Sequence, residues 1–343
     1  MTMNDIKEVV EHSSEYDFLR KEPLKSHIIL LGLGGSYAYG TAVETSDIDI
    51  RGIATHPARD ILTGKGFDQI ENSPTDTVVY SLRKITNLLC SCNPNTIEML
   101  GLEPWQYITL TDAGKTLVDN SELFLSKRAV KSFGGYANSQ LWRLRQKAIR
   151  GKDHETLEKH ILNSVESARY SFPEKYAPFN GTIDLYVDDA VNPEYDTEIF
   201  MDINLKHYPL RDYKGMWAEM HNIVKSYNKI GMRNSKAIEK GKLTKHMMHL
   251  VRLYLMAFDI LEEGKIVTCR TKDHDFLMDI RDGKYLDENG DPSDYFYEII
   301  TEYEERLKED SVKTELPDVP DYDKIDKMVA EINMQVIEDG KDL

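Results

Sequence analysis

The chain has 343 residues, enough for two domains with hydrophobic cores, and its 41% hydrophobic content is ordinary for a soluble globular protein. Its formal net charge of −16 at pH 7 argues against a general nucleic-acid-binding protein, because such proteins normally present a basic surface. The sequence has no apolar run of about 18 residues and no apolar N-terminal segment, so we expect no transmembrane helix, no signal peptide and no membrane partner.

The cysteines are sparse and odd in number. Cys90 and Cys92 have no second pair at the spacing of a zinc site, and Cys269 is far away along the chain. We therefore expect reduced thiols, no zinc and a cytoplasmic location.

The first predicted elements are a helix and a strand. Residues 4–20 have the spacing of an amphipathic helix, which Pro23 ends. The branched run from Ile28 to Leu31 is typical of a buried strand. It leads into Gly32-Leu33-Gly34-Gly35-Ser36, where glycines can take positive φ and let the backbone come close to a ligand.

Two acids follow the glycine turn. In a strand, Asp47 and Asp49 point to one face, and Ile48 and Ile50 point to the other. A Gly-Gly-Ser turn alone is often only a turn, and Asp-x-Asp alone is often a solvated loop. However, neighbouring carboxylates on one strand face repel each other unless a cation neutralises them. The combination therefore predicts a site for a metal-chelated triphosphate.

These residues resemble a known superfamily. Gly35-Ser36, ten intervening residues and Asp47-x-Asp49 are similar to the motif of the DNA polymerase β-type nucleotidyltransferases. Within that superfamily the chain resembles predicted bacterial and phage nucleotidyltransferases. The residues that carry this subfamily likeness are Ala38, Tyr39, Gly40, Ser46, Arg51 and Gly52, with further likeness at 76–84, 93–98 and 245–253.

The next strand is predicted from Asp76 to Ser81, with a helix from Leu82 directly after it. In the superfamily a third catalytic carboxylate lies on such a strand, so Asp76 is our candidate. A turn acid without a catalytic role is the alternative, with Asp68 and Glu71 as substitutes. Asn95 and Glu98 fit a capping box, which explains both residues structurally.

The resemblance also implies site roles. Asp47 and Asp49 would bridge two Mg²⁺ or Mn²⁺ ions, and Asp76 would hold one of them with the acceptor hydroxyl. Ser36 and the backbone N–H groups of Gly35 and Ser36 would bind the β,γ-phosphates of ATP or another NTP. Arg51 would pair with a carboxylate or a phosphate.

The composition changes near residue 123. Residues 123–152 contain no acid and eight Lys or Arg residues, whereas 184–202 contain seven acids and no Lys or Arg. A solvated helix face is the alternative interpretation of the basic segment. We place a catalytic domain at 1–122 and a mostly helical domain that closes the cleft at 123–343.

A long helix is predicted from Leu243 to Glu263. Lys245, His249 and Arg252 share one face of it, and Lys245 and Arg252 are candidate triphosphate ligands. His246 and His249 lack a further ligand at zinc spacing.

The predicted fold is α/β (α+β): a small mixed β-sheet nucleotidyltransferase core with flanking helices and a mostly helical C-terminal domain. The predicted activity moves an NMP from an NTP to a hydroxyl of RNA such as tRNA, of a protein or of a small molecule, releasing pyrophosphate. The basic segment favours a polyanionic acceptor and the acidic one a cationic acceptor, so the acceptor stays open. The alternative is a catalytically weak NTP-binding sensor or an antitoxin-like partner protein.

Overall fold

The computed structural model describes residues 2–152, 175–179, 181–189, 197–221 and 240–339. The sequence spacing also predicts helices over 155–170 and 217–227; the first helix and the end of the second lie outside these residues. Within the described part of the chain, no helix is long and apolar enough to cross a membrane.

The predicted mixed sheet is confirmed. It has five strands in the order β3-β4-β2-β1-β5, in which β2 and β4 are parallel and the other neighbours are antiparallel. The strands are β1 (Ile28–Leu33), β2 (Ile50–Ala54), β3 (Gln69–Asn72), β4 (Thr77–Ser81) and β5 (Tyr107–Leu110).

The middle of the sheet is buried because its strands carry apolar side chains on both faces. Leu30, Ile50, Ile53 and Val79 are fully buried. Strands covered on both faces are typically such continuous apolar runs. This rigid centre carries the loops that hold the polar residues of the site.

Short helices flank the sheet: α1 (Met3–His12), α2 (Gly35–Tyr39), α3 (Ala58–Thr63), α4 (Leu82–Cys90), α5 (Pro94–Ile97) and α6 (Asp112–Asp119). The single helix predicted over 4–20 is wrong. Helix α1 ends at His12, and the hydroxyl of the next residue, Ser13, caps the separate 3₁₀ helix Ser14–Arg20 by accepting from Glu15 N. A serine can satisfy the free N–H groups of a new helix start in this way.

The capping box predicted from Asn95 to Glu98 is also wrong. Asn93 caps α5, since its side chain accepts from the backbone N–H of Asn95. Glu98 is therefore released from a capping role.

The predicted helical C-terminal region is confirmed. Its described elements are α7 (Arg128–Lys152), β6 (Thr182–Asp189), β7 (Thr197–Asn204), helical residues 213–221, α8 (Lys240–Phe258), α9 (His274–Arg281), α10 (Asp294–Lys313) and α11 (Tyr322–Glu338). Helix α7 runs through the glycine pair at 134–135 without a break. The described part of the acidic segment lies largely in the β6–β7 hairpin.

The chain divides into two compact units, one formed by 1–143 with 244–343 and the other by 144–243. This division does not coincide with the predicted one at 122 and 123. Lys127 N donates to Pro317 O and Asp321 N to Leu123 O, so the C-terminal segment is bonded to residues just after the predicted boundary. The residues of the candidate site all belong to the first unit.

Candidate active site

Two acids lie side by side where β2 and β4 begin. The parallel register pairs Ile50 with Thr77, which brings the preceding residues Asp49 and Asp76 to the same end of the sheet. The backbone N–H of Ile50 donates to Asp76 O at 3.4 Å, and the Asp49 and Asp76 carboxyl groups are within hydrogen-bonding reach. The proximity expected between Asp76 and the Asp-x-Asp segment is therefore present.

The acids precede their strands instead of lying in them. Residues 46–49 have no regular structure and β2 begins at Ile50, so the strand predicted across Asp47 is wrong at its start. Asp47 is exposed and Asp49 is half-buried. A loop gives these carboxylates more freedom of approach than a strand would.

The pKa of Asp49 is raised to about 6. The main cause is burial, followed by the hydrogen bond and charge of Asp76, with a smaller effect from Asp47; Arg51 opposes the rise. Crowded carboxylates hold protons in this way when too little positive charge is nearby. The site therefore has an electrostatic demand for a cation.

Arg51 meets part of that demand. Its Nη2 lies 3.2 Å from Asp76 Oδ1, and its Nη1 donates to the backbone O of Asp76 and, at 3.0 Å, to that of Ile50. Asp76 has φ 41° and ψ 45°, a left-handed conformation that aspartate tolerates better than most residues. In this structure Arg51 pairs with a carboxylate, one of its two predicted partners.

The glycine turn lies directly against Asp49. Gly34 N donates to Asp49 O at 2.8 Å, and a Cβ placed on Gly35 would be 1.7 Å from Asp49 Oδ2. Gly35 has φ +53°, so glycine is favoured there on two grounds. Of the three glycines that can take positive φ in this stretch, Gly35 does so, whereas Gly32 lies in β1 and Gly34 is extended with φ −116°.

Comparison with known proteins agrees with this geometry. Residues 1–159 match the model of a family described as the RNA repair pathway DNA polymerase beta family. This match supports a polymerase β-type nucleotidyltransferase superfamily for these residues. The resemblance found in the glycine and aspartate motifs is thereby confirmed.

One relative comes from a bacteriophage. Over 119 residues this chain is 30% identical to an uncharacterized 38.9 kDa protein from the nrdC-mobD intergenic region of Enterobacteria phage T4. The match covers 31% of this chain and 35% of the phage protein, so it spans about a third of that relative. No solved structure matches the chain.

A buried polar network lies beside the glycine turn. Tyr39, the last residue of α2, donates its hydroxyl proton to Glu98, which is only 8% exposed. The Arg252 guanidinium lies 3.2 Å from the centre of the Tyr39 ring. Burial raises the pKa of Glu98, while Arg252 and the Tyr39 hydrogen bond oppose that rise.

Glu98 is not the capping residue that its spacing from Asn95 predicted. A sequence signal was present, because Glu98 interrupts an apolar run of Ile97, Met99 and Leu100 that is buried in the structure. An acid inside such a run needs a buried partner. Tyr39 is that partner.

The two cations predicted on α8 have different surroundings. Arg252 reaches α2 and donates from Nη2 to His249 Nδ1 at 2.7 Å. Burial and the Arg252 charge lower the pKa of His249 to about 3, so its ring is a neutral acceptor. Lys245, two turns earlier on the helix, is exposed. The contact of Lys245 and Arg252 with a triphosphate stays a prediction.

The acidic side chains of the site are candidate metal ligands. Among the residues that the structure describes, no three His, Cys, Asp or Glu side chains converge closely enough to hold a metal ion. Their chemistry nonetheless fits one, because Asp49 and Asp76 supply adjacent hard oxygen donors and the raised pKa of Asp49 signals missing positive charge.

Proposed function

We propose that this nucleotidyltransferase moves a nucleoside monophosphate from an NTP to a hydroxyl group of RNA, with release of pyrophosphate. The observation that carries the proposal is the Asp49 carboxylate, packed against Gly35 and paired with Asp76 within the region that matches the family. The family description, which refers to RNA repair, supports RNA over the other acceptors.

The acids would hold divalent cations. Asp47, Asp49 and Asp76 are the proposed ligands of Mg²⁺ or Mn²⁺, which when bound would neutralise phosphate charge and lower the pKa of the attacking hydroxyl. Asp49 would perform this role only as a carboxylate. It must therefore lose the proton whose binding is favoured by burial and by Asp76. Arg51 keeps Asp76 oriented beside it.

The nucleotide would lie over the glycine turn. We assign the β,γ-phosphates to Ser36, the backbone N–H groups of Gly35 and Ser36, and the cations Lys245 and Arg252. The absence of a side chain at Gly35 supports a close approach of the backbone to the ligand. Arg252 stacks on Tyr39, which links this predicted phosphate ligand to the helix that carries the turn.

The acceptor assignment has support from charge. The acid-free segment 123–152, most of which is helix α7, has eight positive residues, and basic residues bind the phosphates of RNA. Lys127 pairs with Asp318, and Arg128 donates to the Tyr322 hydroxyl, so these two also hold the C-terminal segment.

The test offers each α-labelled NTP with Mg²⁺ or Mn²⁺ to an RNA ending in a 3′-hydroxyl and to the same RNA ending in a 3′-phosphate. A protein extract and an aminoglycoside serve as competing acceptors. We expect label only on the RNA with the free hydroxyl, and none with Asp49→Asn. Label on the protein extract or the aminoglycoside instead would overturn the RNA assignment.

A second candidate is an NTP-binding sensor or antitoxin-like partner protein with weak catalysis. One observation favours it: Arg51 already engages the proposed metal ligand Asp76. NTP binding by calorimetry without transfer to any of the acceptors would select this candidate.

A further inference from the structure

The loop between α2 and β2 delivers the acidic residues to the candidate site. It leaves α2 at Gly40, which is left-handed with φ +74°. Within the loop, Thr41 N donates to Ser36 O, Ser46 N donates to Val43 O, and Val43 N donates to Ser46 Oγ, each at 2.9 Å. The Thr41 bond ties the start of the loop to α2, and the two bonds between Val43 and Ser46 shape the loop itself.

Arg281 supplies an attachment from far away in the chain. It is the last residue of α9, and its Nη1 donates to the backbone O of Thr41. Its Nη2 reaches Ser46 Oγ at 3.5 Å. One guanidinium therefore spans the loop from its start to the residue just before Asp47.

The surroundings of the half-buried Arg281 differ from those of the buried Arg270. Arg270 forms ion pairs with Asp259 and Asp273. Arg281 is half-buried, and within the described residues no carboxylate lies within ion-pair distance of it. Its burial is compensated by its hydrogen bonds to the loop and by the charge of the neighbouring Asp282, so the loop bonds are costly to lose.

We infer that Arg281 is a positioning residue, which holds the 41–46 loop so that Asp47 and Asp49 stay at the site. This inference rests on the proposed nucleotidyl transfer. Asp47 is exposed, and its charge is repelled by Asp49, so a loose loop would let it move away. Arginine suits the task because its fork carries two donors at a fixed spacing, whereas lysine has one ammonium group.

The first measurement is amide hydrogen exchange of the loop in the full chain. Arg281→Met should speed exchange at Val43 and Ser46 by about 10-fold, since losing the attachment makes local opening easier. Arg281→Lys should give a smaller increase. Lys284→Met is the matched control, because Lys284 is exposed and pairs with Asp279, away from the loop.

Kinetics separate positioning from substrate contact. Arg281→Met should lower kcat by about 10- to 100-fold, as expected when a reacting group is misplaced by about 1 Å. The KM for NTP should change less than about twofold, because the phosphate contacts assigned above remain. The concentration of Mg²⁺ needed for half-maximal activity should rise, and Arg281→Lys should recover part of kcat.

Several outcomes would overturn the inference. Unchanged exchange in Arg281→Met refutes it, and unchanged exchange with a raised KM would identify Arg281 as a substrate contact. If Arg281→Met fails to fold, Arg281→Lys is the fallback, and unchanged exchange at Val43 and Ser46 in that variant would refute the inference. Faster exchange in a protein that transfers no nucleotide would leave the loop attachment standing and refute only the proposed function.

Discussion

The protein contains two carboxyl pairs built on the same electrostatic plan. In the first, Arg51 pairs with Asp76, and the pKa of Asp49 is raised to about 6. In the second, Arg306 binds Glu262, and burial together with Glu262 raises the pKa of Asp310 to about 6 as well. A raised carboxyl pKa therefore does not by itself distinguish the candidate active site from the helical region.

The charge balance of the two pairs does distinguish them. Around Asp310 the second acid Glu262 is answered by two cations, Arg306 and Lys313. Around Asp49 the acids Asp76 and Asp47 are answered by Arg51 alone. The first pair also has Gly35 against it, where Asp49 Oδ2 occupies the place that a side chain would take. An excess of acids beside bare backbone, more than the pKa, indicates a ligand site.

The largest expected difference between the pairs is in activity. Asp49→Asn should reduce nucleotidyl transfer by at least about 10³-fold, because several kcal/mol of cation-dependent stabilisation would be lost. Asp310→Asn, the same change in the second pair, should leave the rate within about twofold, since the partners of Asp310 are Glu262, Arg306 and Lys313 and not the acids of the candidate site. Both rates are measured with labelled NTP and RNA. Equal losses in the two variants would contradict our distinction.

The loss in Asp49→Asn should not come from unfolding. A neutral amide removes the repulsion with Asp76, so thermal stability at pH 7 should be unchanged or higher. A large fall in Tm would indicate that Asp49 has a structural role instead.

Two glycines, Gly35 and Gly264, allow a matched substitution in the two regions. Gly35 and Gly264 both have positive φ, +53° and +64°, but a Cβ on Gly264 would meet nothing within 4 Å. Each Gly→Ala change should cost about 1–2 kcal/mol of stability for the left-handed conformation. Only Gly35→Ala displaces Asp49, so it alone should lower kcat, by about 10²-fold. Similar kinetics in the two variants would show that the close approach to Asp49 has no functional consequence.

The two carboxyl pairs should also differ in cation binding. At ten times its dissociation constant, Mg²⁺ should stabilise the folded protein by about 1.4 kcal/mol. The stabilisation should vanish in Asp49→Asn and persist in Asp310→Asn, and chelation with EDTA should reverse it. Thermal unfolding with and without Mg²⁺ measures the effect. Full stabilisation of Asp49→Asn would place the ion elsewhere.

The smallest expected effect is a pH dependence of the free energy of unfolding, which both carboxyl pairs should show in the absence of metal. A carboxyl whose pKa is higher in the folded than in the unfolded state binds more protons when folded, so stability falls as pH rises from about 4 through about 6. Asp310→Asn removes this loss and should gain about 1 kcal/mol relative to wild type between pH 4.5 and 7.5, after allowance for solvent screening. Chemical unfolding at both pH values tests it, and a parallel pH profile in the variant would contradict it.

Local patterns in the sequence were sufficient for much of this protein. The apolar run of β1, the glycine turn and the apolar face of α4 each follow from short-range spacing, and they lie where the sequence predicted. The same spacing predicted most of the helical C-terminal region. Asp76 could be chosen as the partner of Asp49 because the superfamily resemblance indicated the strand that precedes α4.

Contacts between distant residues were decided by the tertiary structure. Tyr39 and Glu98 are 59 residues apart, and Thr41 and Arg281 are 240 apart. No local periodicity specifies such pairs, because they depend on how the C-terminal helices pack around α2 and its loop. The sequence by itself determined which residues could form the acidic site. Only the packing decided which residues surround them, since burial and charge act through space and not along the chain.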